Sequence, residues 1–205
     1  GLIDRLKDDA ERYFLSPWEV DSRLKCIAED LGFTAVGAKI TIFDASQSWG
    51  VCKGQPSVTE TINASSNSKI AIFLDGSESA LSDISNQRFS HQLLDAMKLV
   101  WAKEYRNYHG GLNLKASGAE EVFQASLHFL AAHQSQGKLA VAYLDLDNFK
   151  QVNDRCGHEE GNRALRAVYA QMHQAVRNLH GLAFFDDGDE FIIVLPTDQR
   201  MEIAS

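Results

Sequence analysis

The sequence predicts a mixed α/β (α+β) protein of 205 residues in more than one part. Three observations carry this. Four short strand-like segments follow a pair of helical patterns near the N-terminus. Long amphipathic helical patterns fill the middle and the C-terminal half. Two acid-tipped apolar runs of strand character lie towards the end. The composition agrees, since 44% hydrophobic and 23% charged residues suit a chain with a proper core.

The elements are read in order. "GLIDRLKDDAERYFL" has the pattern of a short amphipathic helix. In "SPWEVDSRLKCIAEDLGF", Ser16 suits an N-cap, Pro17 the first helical position and Glu19 a capping box, and Gly32 is a natural stop. "TAVGAKITIFD", "SWGVCKG", "SVTETIN" and "KIAIFLDG" then read as strands separated by Gly, Ser, Asn and Pro. Together they predict a small antiparallel sheet and a sensor-like α+β domain over residues 1–78. Within it Trp49 and Phe73 either pack in the core or line a ligand pocket.

From about Ser79 to Tyr108, Phe89, Leu93, Met97, Val100 and Trp101 recur at helical spacing. This connecting region, 79–109, reads either as core packing or as a signalling helix that dimerises. Gly110-Gly111 marks the expected start of a further domain, 110–205. There "GAEEVFQASLHFLAAHQSQG" predicts a helix, "KLAVAYLDLD" a strand and the next stretch a polar loop. "EEGNRALRAVYAQMHQAVRN" predicts a long helix with Leu165, Val168, Tyr169, Met172 and Val176 on one face. "GLAFFDDGDEFIIVLP" reads as strand, turn and strand.

A net charge of −8 argues against nucleic acid as the main partner, because neutralising phosphates needs an excess of Lys and Arg. It leaves room for a nucleotide carried by a metal ion and a few donors. Cys26, Cys52 and Cys156 are widely spaced and odd in number, which suits a reducing compartment. No apolar run approaches membrane-spanning length, so no membrane insertion and a cytoplasmic location are expected.

Asp-Gly between two apolar runs is a strong hairpin signal, and a type I′ turn at Asp187-Gly188 would place both residues at positive φ. Two more acids, Asp189 and Glu190, follow directly at the start of a buried strand. Carboxylates there cost several kcal/mol unless a cation or donors compensate. The strand before them ends in Asp145 and Asp147, which alternation places on one face. If the two strands are neighbours, Asp145 approaches Glu190. Convergent carboxylates form a hard-oxygen site suited to Mg²⁺.

"DLDNFKQVNDRCGHEEGNRAL" followed by "DGDEF" resembles the GGDEF domain family, the diguanylate cyclases. The resemblance implies a palm-like nucleotidyl-cyclase sheet over roughly Gly110 to Pro196, continuing in further elements beyond Ser205. It implies Asp145, Glu190 and the backbone carbonyl of Leu146 as Mg²⁺ ligands. It places Asn153 and Asn162 at the guanine edge and Phe149 and Lys150 near the phosphates. Gly188 lets the hairpin approach the triphosphate, beside Asp187, and Asp189 lies near the reacting 3′-hydroxyl. The reaction implied joins two GTP molecules in a homodimer.

Departures from the family pattern point towards impairment. Asp187 replaces the first glycine of the signature, and Phe185 stands where an arginine is usual. "HGGLNLK" keeps only part of a family motif, and "NLHG" occupies the place of the product-inhibition motif. Three readings follow: a regulatory module that binds GTP and Mg²⁺ but turns over poorly, an active cyclase, or an α/β scaffold without ligand. His158 in "CGHEEG" is expected to close its loop, and Cys156 to be inert.

Overall fold

The structure is a computed structural model that describes residues 1–50, 55–83, 88–108, 118–133 and 137–197. It divides into two compact units. One comprises Gly1–Glu11 with Glu19–Tyr105, the other Arg12–Trp18 with Arg106–Ser205. Gly110-Gly111, Cys52 and the partial motif "HGGLNLK" lie outside the described residues.

The first unit is built on a four-stranded antiparallel sheet of order β2-β1-β4-β3. Its strands are β1 (Phe33–Ile42), β2 (Ala45–Trp49), β3 (Val58–Ser65) and β4 (Ser68–Gly76). Along the two central strands Ile40, Ile42, Ile70, Ile72 and Leu74 are buried, whereas Lys39 and Lys69 between them are exposed. One face of the pleat is therefore core and the other solvent. Two helices precede the sheet, α1 (Leu2–Arg12) and α2 (Pro17–Leu31). Helix α2 starts at Pro17 and stops before Gly32 at φ +71, as the capping pattern predicts.

Two corrections to the sequence reading belong to these elements, and between them one open alternative, the place of Trp49, is decided. The second strand, expected at "SWGVCKG", is Ala45–Trp49, because a two-residue turn at Phe43-Asp44 folds the chain back early. Trp49 is buried at 1% exposure and belongs to the core. The helix expected from Ser79 to Tyr108 is divided. A short α3 (Glu78–Ser82), capped by Ser77, ends where Asp83 turns extended, and α4 (Phe89–Tyr108) begins afresh. In α4, Phe89, Leu93, Met97 and Val100 are buried, so its spacing does encode core packing.

The second unit holds α5 (Ala119–Ala132), α6 (Phe149–Cys156), α7 (His158–Arg177), β5 (Leu139–Asp145), β6 (Leu182–Phe185) and β7 (Glu190–Pro196). The strands form an antiparallel sheet of order β5-β7-β6. The polar loop expected after β5 is instead helix α6. Asn148 takes the left-handed conformation that turns the chain, and Phe149 is buried and anchors one face of the helix. On α7, Leu165, Tyr169 and Val176 are buried, and Tyr169 meets Tyr108 edge to face at 4.7 Å.

Phe184 on β6 is the hub of this unit's core. Phe14 and Phe123 meet its ring edge to face, each at 5.1 Å, while Leu130, Leu182, Ile192 and Val194 complete the cluster. The N–H of Phe14 donates to Ser126 Oγ at 2.9 Å, and that hydroxyl donates to the Val122 carbonyl. Strand β5 differs from its neighbours. Among the described residues it pairs only with β7, and Val141 and Tyr143 are 47% and 72% exposed.

Candidate functional site

The acidic groups gather where β5 ends and β7 begins. The two strands pair antiparallel in a register that sets Asp145 directly opposite Glu190. Directly opposed residues project from the same face with Cβ atoms about 4.5–5.5 Å apart. Continuous pairing from Leu139↔Pro196 to Asp145↔Glu190 fixes this juxtaposition, since a slip of one residue would send one carboxylate to the other face. Both side chains are exposed.

Backbone hydrogen bonds tie the turn to the strands. The N–H of Leu146 donates to the Asp189 carbonyl at 3.2 Å, that of Asp186 to the Glu190 carbonyl at 3.0 Å, and that of Glu190 to the Asp187 carbonyl at 2.9 Å. The tight turn therefore spans Asp187 to Glu190. Only Gly188 has positive φ, +60°, so the type I′ turn with Asp187 also at positive φ does not form. The glycine occupies the first central position, where positive φ strains any other residue. Asp187 uses its side chain instead: its Oδ1 accepts the Gly188 N–H at 2.9 Å.

Asp145, Glu190 and the Leu146 carbonyl are the groups that could hold a divalent ion. Two carboxylates and a carbonyl are hard oxygen donors of the kind Mg²⁺ takes, with water and phosphate oxygens filling the remaining positions. The Leu146 carbonyl accepts the Phe149 N–H at 3.2 Å and keeps a second lone pair. Asp147 adds no third ligand: among the described residues no group of three or more His, Cys, Asp and Glu could hold a metal ion.

The remaining predicted residues lie on the two helices that follow. The Phe149 ring is buried and its N–H is engaged, whereas Lys150 is exposed at the start of α6. Asn153 packs where α6 meets α7. A Cβ on Gly161 would come within 1.9 Å of Asn153 Oδ1 and 3.2 Å of the Phe149 ring, so only glycine leaves that amide its place. Asn162, next to Gly161, is exposed. Cys156 and His158 are exposed at the end of α6 and the start of α7.

One further residue has no local signature. Asn107, in the last turn of α4, is 1% exposed, and its Oδ1 accepts the N–H of Phe185 at 3.3 Å. It thereby satisfies a buried donor on the outer edge of β6, immediately before the acidic turn. Nothing in the periodicity of the helix distinguishes it.

Residues 120–205 match the family described as "Diguanylate cyclase, GGDEF domain". A mixed helix-and-sheet unit carrying this acidic hairpin, together with that match, defines the C-terminal part of the chain as a diguanylate cyclase-like GGDEF domain. Relatives include the diguanylate cyclase DgcP of Escherichia coli K12, 30% identical over 122 residues, which are 60% of this chain and 35% of that protein. The probable diguanylate cyclase DgcE of the same organism is 30% identical over 131 residues, 64% of this chain and 11% of its own. The cyclic di-GMP phosphodiesterase NbdA of Pseudomonas aeruginosa is 39% identical over 64 residues, 31% of this chain and 8% of its own. The chain thus spans about a third or less of the length of these relatives. No solved structure gives a significant match. Among the described residues no helix is long and apolar enough to cross a membrane.

Proposed function

We propose that the GGDEF domain acts in cyclic di-GMP signalling as a regulatory module that binds GTP with Mg²⁺ but turns it over poorly. One observation carries this reading: the Asp187 carboxylate accepts the Gly188 N–H. A backbone N–H at a glycine turn is the kind of donor that takes a phosphate oxygen. Here an anion of the protein already satisfies it, and that same charge would repel a polyphosphate drawn against the turn.

In this reading Asp145, Glu190 and the Leu146 carbonyl hold the ion, while Asn153 and Asn162 take the guanine edge. Lys150 faces the phosphates, and Asp189 lies near the ribose hydroxyl. Bound Mg²⁺ would neutralise phosphate charge and polarise the α-phosphate. The alternative is an active homodimeric cyclase condensing two GTP molecules, favoured by the direct opposition of Asp145 and Glu190.

Incubating the protein with GTP and Mg²⁺ and chromatographing the products separates the two. The expected result is nucleotide binding by calorimetry with little or no cyclic dinucleotide. Asp187→Gly should raise product formation by about tenfold or more, the effect of removing one unfavourable contact worth about 1.4 kcal/mol. Abundant product from the parent protein, abolished in Glu190→Gln, would establish the cyclase instead. Absence of any GTP binding would leave a pure interaction module.

A further inference from the structure

A cleft of about 620 Å³ opens at one end of the N-terminal sheet, in the unit that does not contain the acidic hairpin. Its floor follows from strand register. Thr41 on β1 pairs with Lys69 on β4, and Lys69 pairs with Asn63 on β3, so three polar side chains form a row across the solvent face. Ser66 and Asn67, from the two-residue turn between β3 and β4, close one end. None of the described residues lining the cleft is acidic, and Lys69 is the charged one among them.

Phe43 forms the wall, in a conformation that turn chemistry disfavours. It occupies the first position of the two-residue turn joining β1 to β2 with φ +54, where glycine is the usual residue. A bulky side chain in the left-handed region is a strained choice that persists only where its surroundings hold it. The Phe43 N–H donates to the Asn67 carbonyl at 2.8 Å, and its ring lies nearly parallel to Tyr105. The cleft's polar groups are also pre-oriented. Buried Ser68 accepts the Trp101 indole N–H at 3.0 Å and shares a hydrogen bond with Ser65, which donates to Asn67.

We propose that this cleft binds a small hydroxylated anion, a hydroxycarboxylate or sugar phosphate. Lys69 takes the anionic group, Asn63, Ser66 and Asn67 take the hydroxyls, and the ring of Phe43 covers the carbon skeleton. The chemistry of the lining supports this choice: hydroxyls, amides, one ammonium and one aromatic ring meet without a carboxylate, on a chain of net charge −8. A sensory input of this kind would give the strained turn its purpose.

Calorimetric titration of the 205-residue protein with gluconate, glycerol 3-phosphate and neutral sorbitol tests it. Saturable binding of at least one anion is expected, with sorbitol at least about tenfold weaker. Lys69→Gln should weaken the anion by about tenfold or more, whereas Lys39→Gln, on the same exposed face but outside the cleft, should leave it unchanged. Phe43→Gly relieves the turn, so it should weaken binding severalfold without lowering the melting temperature. No saturable binding of either anion, equal affinity for sorbitol, or indifference to Lys69→Gln would each overturn the proposal.

Discussion

At the scale of single residues, Gly161 shows how one missing carbon can serve a site. Its place on α7 is filled from the other side by the Asn153 amide, 1.9 Å from where a Cβ would stand. Gly161→Ala would gain helix propensity of roughly 1 kcal/mol. It would also displace Asn153 and press on the buried Phe149 ring. The two effects on stability should nearly cancel, leaving the unfolding free energy within about 1 kcal/mol of the parent. GTP affinity, measured by calorimetry, should fall by about tenfold if Asn153 reads the guanine edge. Unchanged affinity would take that role from Asn153. Asn153 was legible as a candidate in the sequence, but the space that Gly161 leaves for its amide was not. The end of α6, Gly157 and the first turn of α7 separate them, and only the folding of the two helices against each other makes one depend on the other.

At the scale of elements, the acidic hairpin is held from both sides. Strand β7 holds it on the inner edge, and on the outer edge the last turn of α4 offers Asn107 to the N–H of Phe185. Asn107→Leu would strip a buried donor of its acceptor, a loss of about 1–3 kcal/mol. Urea unfolding should show a lower midpoint. Amide exchange at Phe185 should quicken more than at Ile192 on the neighbouring strand, because the central strand keeps both its partners. The hairpin itself was readable from Asp-Gly between apolar runs, whereas the alternation expected to place Asp147 on the face of Asp145 fails, because β5 ends at Asp145 and Asp147 lies in the turn that follows. Two helix boundaries were not readable. Helix α6 is short, polar and marked by a single buried Phe149, so its period is too brief to see. The break at Asp83 depends on a local backbone choice, φ −64 and ψ 128, rather than on any loss of apolar spacing nearby.

At the scale of the whole molecule, the chain's order and its compact units disagree. Residues 12–18 belong with residues 106–205, and Phe14 is a full member of the C-terminal core. Phe14→Ala should cost that unit about 3–5 kcal/mol, through lost apolar burial and the cavity left beside Phe184. Hydrogen exchange offers a direct check: amides of Phe184 and Ile192 should lose protection, while those of Ile70 and Ile72 in the N-terminal sheet keep theirs. Equal loss in both places would mean that the two units unfold as one. The N-terminal segment read locally as the end of a helix and the start of another. No pattern within it says which core its aromatic side chain joins.

By itself the sequence determined the period of the longer apolar runs and the presence of a glycine turn at Gly188, though not the type of that turn. It also determined the grouping of acids at the tips of two strands, which is why the family and the mixed fold were legible from it. These are properties of neighbours along the chain, set by backbone geometry that repeats every two or 3.6 residues. Tertiary structure alone decided that Asp145 faces Glu190 and that the Asp187 carboxylate turns onto the next N–H. It likewise decided that Phe14 packs on Phe184 and that a strained Phe43 walls a polar cleft. Each of these depends on register, side-chain direction or the meeting of segments far apart in sequence, and a local pattern encodes none of those distances.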